Sequence, residues 1–142
     1  MKRFFLALFV LWAASAFAQG SPDFSGTLRD QNGNIPRVQY AFVNPSTITT
    51  TQIVAAQSAG VKIRVLAVAC VPTAANTITF KSAANTISAT FPLATGQWIA
   101  LTWNGGGWFE TNAAEALQVT TTVATATGCQ VAWIPVSTSP LP

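Results

Sequence analysis

The sequence predicts an all-β fold: one antiparallel β-sandwich, jelly-roll-like, of about eight strands. Three observations predict it. Apolar and polar residues alternate with a period of two through most of the chain beyond residue 37. Thr, Val and Ile dominate the alternating runs, and β-branched side chains fit a pleated surface better than a helix. New runs begin at intervals of roughly 8 to 12 residues, the spacing of a small sandwich or barrel.

The elements follow in order. Lys2 and Arg3 precede the apolar run FFLALFVLWAASAFA, which closes on Ala16-Phe17-Ala18, the small-x-small pattern cut by signal peptidase. Residues 1–18 therefore read as an export signal, with a retained N-terminal hydrophobic segment as the alternative. The run falls short of the ~18 apolar residues that a span requires, so no stable membrane span is expected. Residues 19–37, QGSPDFSGTLRDQNGNIPR, form an extended polar arm. The sandwich domain covers residues 38–136. Runs at 38–43 and 46–54 flank Pro45. The run 61–71 is apolar on both faces at its centre, with Val65, Ala67 and Ala69 on one and Leu66, Val68 and Cys70 on the other. Such a strand predicts an outer face covered by a subunit or a loop. Residues 76–82 alternate with Ile78 and Phe80 inward, and 85–91 with Ile87, Ala89 and Phe91 inward. Residues 97–103 place Ile99, Leu101 and Trp103 together, and 117–123 do so for Leu117, Val119 and Val123. Residues 129–136 close the domain, and 137–142 form a proline-broken tail.

Charged residues make up 8% of the chain, against about 25% in ordinary soluble domains. Beyond residue 18, five Lys and Arg stand against four Asp and Glu. That near-neutral, dispersed charge argues against a nucleic-acid partner, which requires clustered cations. The chain has no histidine, which removes Ser-His-Asp and Cys-His nucleophilic systems and His-based zinc sites. No phosphate-binding glycine loop occurs, and no metal or cofactor is expected. The segment DQNGN at 30–34 has its glycine at the fourth position rather than the sixth of a calcium loop, and reads as a turn. Cys70 and Cys129 predict a disulfide in an exported chain, with two separate buried thiols as the alternative.

The stretch GGGWFETNAAEAL holds the remaining chemistry. Glu110 and Glu115 are close enough in sequence to act as a glycosidase carboxylate pair. The architectural reading is preferred: Gly105, Gly106 and Gly107 turn the chain, Trp108 and Phe109 plug the core, and Glu115 satisfies backbone donors as in a capping box. Residues 111–117 are the one stretch suited to a helical turn. Trp98 falls out of the apolar register and Trp103 within it, so Trp103 is expected in the core. Trp98 and Trp108 are candidates for an interface or for stacking on a glycan.

The segments KIRVLAVACVPTAANTITFKSAANTISATFPLATGQWIAL and GWFETNAAEALQVTTTVATATGCQVAWIPV, within residues 62–136, resemble a small all-β virion structural domain of tailed phages and prophages. The resemblance implies a capsid decoration or a head or tail fibre component, commonly trimeric, that contacts other virion proteins. The export signal and the two cysteines depart from that pattern. The expected function is thus non-enzymatic: surface display and homo-oligomeric assembly, in a virion or as an exported protein. A secreted carbohydrate-binding or adhesive module is the alternative.

Overall fold

The computed structural model describes residues 36–138, and all their regular structure is β. Ten strands form: β1 (Gln39–Val43), β2 (Thr50–Val54), β3 (Val61–Pro72), β4 (Asn76–Ser82), β5 (Asn85–Thr86), β6 (Phe91–Leu93), β7 (Ile99–Leu101), β8 (Phe109–Glu110), β9 (Leu117–Thr121) and β10 (Thr127–Ser137). They make two antiparallel sheets. One runs β1-β10-β3-β7 with β8 also on β3, and the other β2-β9-β4-β5 with β6 also on β4. The expected export signal, most of the expected arm and the last four residues lie outside the described residues.

The expected eight strands become ten because two edge strands are broken. β7 pairs β3 at Val68 to Cys70, and β8 pairs it at Arg64 and Val65. β5 and β6 divide the edge of β4 in the same way. Counting each broken edge once leaves four strands per sheet in jelly-roll order. The break between β5 and β6 has a local cause. Phe80 N–H donates to the Ser88 hydroxyl at 2.9 Å, so a side chain replaces the ladder partner. Ala89, expected inward, is consequently exposed, while Ile87 and Phe91 pack against the core.

The core lies between the sheets and contains Ile63, Val65, Val68, Ile78, Phe80, Leu117, Val119, Val131 and Trp133. Burying each such side chain contributes roughly 1.5–3 kcal/mol, as an upper estimate. Cys70 and Cys129 face each other across β3 and β10 and are disulfide-bonded. Their Cα atoms are 4.1 Å apart, the close approach of a non-hydrogen-bonded pair.

The doubly apolar centre of β3 has a simple explanation. Val65 pairs Trp133 and Ala67 pairs Ala132, which leaves Leu66 as an extra residue in a β-bulge. The bulge reverses the parity. Val61, Ile63 and Val65 point inward before it, and Val68 and Cys70 after it. The outward residues are Lys62 and Arg64 on one side of the bulge, and Ala67, Ala69 and Val71 on the other. Among the described residues no loop covers Ala69 and Val71, which are exposed in the single copy, so of the two expected covers the loop is not found there.

Candidate functional site

The loop from Trp103 to Leu117 lies along the β3 edge. Asn104 builds its turn. Asn104 Oδ1 accepts from Gly106 N–H at 3.0 Å, and Asn104 Nδ2 donates to Gly107 O at 3.1 Å. Of the three glycines, Gly107 is the one the geometry requires. Its φ is +83°, and a Cβ there would stand 2.5 Å from Arg64 Cγ. Gly105 has open space around it. The glycine run therefore turns the chain as expected, with the constraint concentrated at one position.

The aromatics that follow separate. Phe109 packs against the core and stacks on Phe80 with ring centroids 5.2 Å apart. Trp108 does not plug the core. It is 45% exposed, and its indole N–H donates to Thr102 O at 2.7 Å. Trp103 is 39% exposed rather than buried. The chain leaves β7 at Leu101, so the inward register does not carry through to Trp103. Val123 is exposed for the same reason, two residues beyond the end of β9. Trp98 is exposed, as its register predicts.

The two carboxylates do not converge. Glu110 is held by Arg64 Nε, and its other oxygen lies 3.7 Å from Lys62 Nζ; both cations are on β3. Glu115 accepts from the Ser82 hydroxyl, at the end of β4, and from Asn112 Nδ2 at 3.1 Å. Glu115 thus binds side chains, not the backbone donors of a capping box. Ser82 Oγ in turn accepts Asn112 N–H at 2.8 Å, so the Glu115 network ties the loop to the second sheet. Thr111 is buried and its hydroxyl accepts Ile63 N–H at 3.0 Å. Residues 111–116 make one turn at Ala113 and Ala114 before β9 begins at Leu117, with no helix. Among the described residues, no group of acids or cysteines is arranged to hold a metal ion. No described helix is long and apolar enough to cross a membrane.

Asn76 is one of the buried polar residues that escaped the sequence reading. Asn76 is 4% exposed at the start of β4. Its Oδ1 accepts from Thr77, Thr122 and Val123 N–H at 2.8, 3.1 and 3.0 Å, and its Nδ2 donates to Val123 O and Thr127 Oγ1. An asparagine between alternating runs looks like a turn residue, and nothing local marks it as the anchor of the β9–β10 connection.

The outer faces of the two sheets differ in chemistry. The β2-β9-β4 face is hydroxylated, with Thr50 and Thr120 joined at 2.8 Å and Thr79 reaching Thr90 at 3.4 Å. The β1-β10-β3-β7 face is apolar beyond the bulge. Register sets Phe42, Gln130, Ala69 and Ala100 in one outward row, and Tyr40, Ala132 and Ala67 in the next. Gly128 pairs Val71 in the row on the other side, and Trp98 immediately precedes Ile99, which pairs Cys70. None of these side chains is charged. The face holds an open trough of about 650 Å³ between Phe42 and Val71, with Gly128 in its floor.

No family model matches the chain, and no curated protein matches it. Among solved structures, one similar chain comes from Bacillus endospore appendages, described as a novel family of disulfide-linked pili. It shares 17% identity and a TM-score of 0.45, over 74% of this chain and 88% of that one. A likeness at this score lends no weight to an assignment of role.

Proposed function

We propose that the chain is a non-catalytic structural subunit that acts by assembly and surface display. The observation that carries this reading is the uncharged part of the β1-β10-β3-β7 outer face beyond the bulge, where Tyr40, Phe42 and Val71 stand exposed, with Trp98 exposed just before β7. Exposed apolar patches of this kind mark contact surfaces. The carboxylates support a non-catalytic reading, because each is engaged with a different sheet. The bonded Cys70–Cys129 pair supports export to an oxidising compartment. Within this reading, the resemblance of residues 62–136 to phage virion domains favours a capsid decoration or fibre component, with homo-oligomeric contacts and other virion proteins as partners. Size-exclusion chromatography with light scattering tests assembly: a multimeric mass is expected, and a strict monomer at high concentration contradicts it.

The exposure of Trp98 and Trp108 favours a second reading, a glycan-binding or adhesive module. A glycan array separates the two. Binding that is lost in Trp98→Ala supports the adhesive module, and an empty array supports the structural subunit.

A further inference from the structure

Gly128 raises a question that the fold leaves open. It lies inside β10, where glycine costs a strand side-chain packing and backbone entropy. Its φ is outside the left-handed region, and a Cβ built on it would find only Val71 O, at an ordinary 4.0 Å. Neither conformation nor crowding demands glycine there. What the missing side chain does is open the trough, with Phe42 as one wall and Val71 and Thr73 as the other.

Beside this hole stands a knob. Phe42 is 79% exposed, on a strand that pairs with β10 alone among the described residues. A surface carrying a large apolar knob next to an apolar hole is self-complementary under a two-fold axis, because each copy's knob meets the other's hole. The area agrees. Tyr40, Phe42 and Trp98 are 63%, 79% and 63% exposed. With Val71 they present roughly 400–550 Å² of apolar surface, taking aromatic side chains at about 150–250 Å² each. One side of a standard interface covers about 800 Å², of which ~56–65% is apolar, or roughly 450–520 Å². Three rows of uncharged residues surround the knob, so docking desolvates no unpaired ion. Asn44 and Gln130 also line the trough and supply a polar rim.

We propose that this face is a two-fold interface between copies of the chain, with Phe42 of each copy seated in the trough above Gly128 of the other. This rests on the assembly reading above and specifies its contact surface. The two-fold geometry differs from the threefold assembly implied by the phage resemblance.

The test uses the full chain, expressed through a bacterial export route, in sedimentation across a concentration series. Wild type is expected to dimerise. Phe42→Asp and Gly128→Val are each expected to weaken dimerisation by at least about thirtyfold, the scale of an interface hot spot. Gly128→Val adds a strand-favouring residue where there is room, so circular dichroism and thermal melting should show it folded. Gln118→Ala, on the opposite sheet, should dimerise as wild type does. Folded variants that dimerise normally overturn this interface and leave the assembly reading standing. A trimeric wild type overturns the two-fold arrangement alone. A monomeric wild type overturns both readings, and so does a monomer whose tryptophan fluorescence responds to a soluble glycan, which would make a sugar the occupant of the face.

Discussion

Asn76 shows how one side chain fixes a connection that sequence periodicity cannot. It makes five hydrogen bonds from a buried position, three of them to backbone donors at the β9–β10 connection and the start of β4. Alanine there strands those donors away from water. Each buried unsatisfied group costs about 1–3 kcal/mol, so Asn76→Ala should lower stability by about 3 kcal/mol in urea unfolding. A loss under 1 kcal/mol would show that water reaches the connection. The contrast with the tryptophans is instructive. Trp98 was legible because it breaks the alternation immediately before β7. Trp103 was not, because carrying a period of two past Leu101 ignores the end of β7; Trp108 follows the turn at Asn104 to Gly107, where no period sets its direction and both a core and a surface reading were open. Trp133 is buried with its indole N–H unpartnered, and the sequence carries no signal for that.

At the level of elements, long alternating strands were readable and short edge pieces were not. β4 and β9 appear nearly where alternation places them, because each buries one face on the core. β8 is two residues long and follows a glycine turn, too short to show any period. The bulge at Leu66 explains why β3 looked apolar on both faces. A parity change adds the inward set of one half to the outward set of the other. β3 and β10 form the longest pairing, and the Cys70–Cys129 bridge closes a 59-residue separation across it. The chain-entropy model gives about 4 kcal/mol for a loop of that size. A Cys70→Ala, Cys129→Ala double variant should therefore lose about 4 kcal/mol, read by chemical unfolding of both proteins. An unchanged midpoint would mean that the bridge forms without constraining the unfolded chain.

The whole molecule is two-faced. One sheet offers water a hydroxylated surface, and the other, beyond its bulge, an apolar one with Tyr40, Phe42 and Trp98 exposed. Low overall charge was the sequence's hint of a surface meant for contact, but composition has no direction. It could not say which sheet carried the patch, since that depends on register around the bulge. The absence of histidine and the dispersal of the acids restricted the chemistry from the outset. The structure then places Glu110 and Glu115 in separate networks.

The most direct measurement of the contact surface is hydroxyl-radical footprinting of the wild-type chain over rising protein concentration. Tyr40, Phe42 and Trp98 should become protected together as concentration increases, while Trp103 and Trp108 label at a constant rate. Labelling of all five that is independent of concentration would contradict the claim that the chain acts through the apolar face of its β1-β10-β3-β7 sheet.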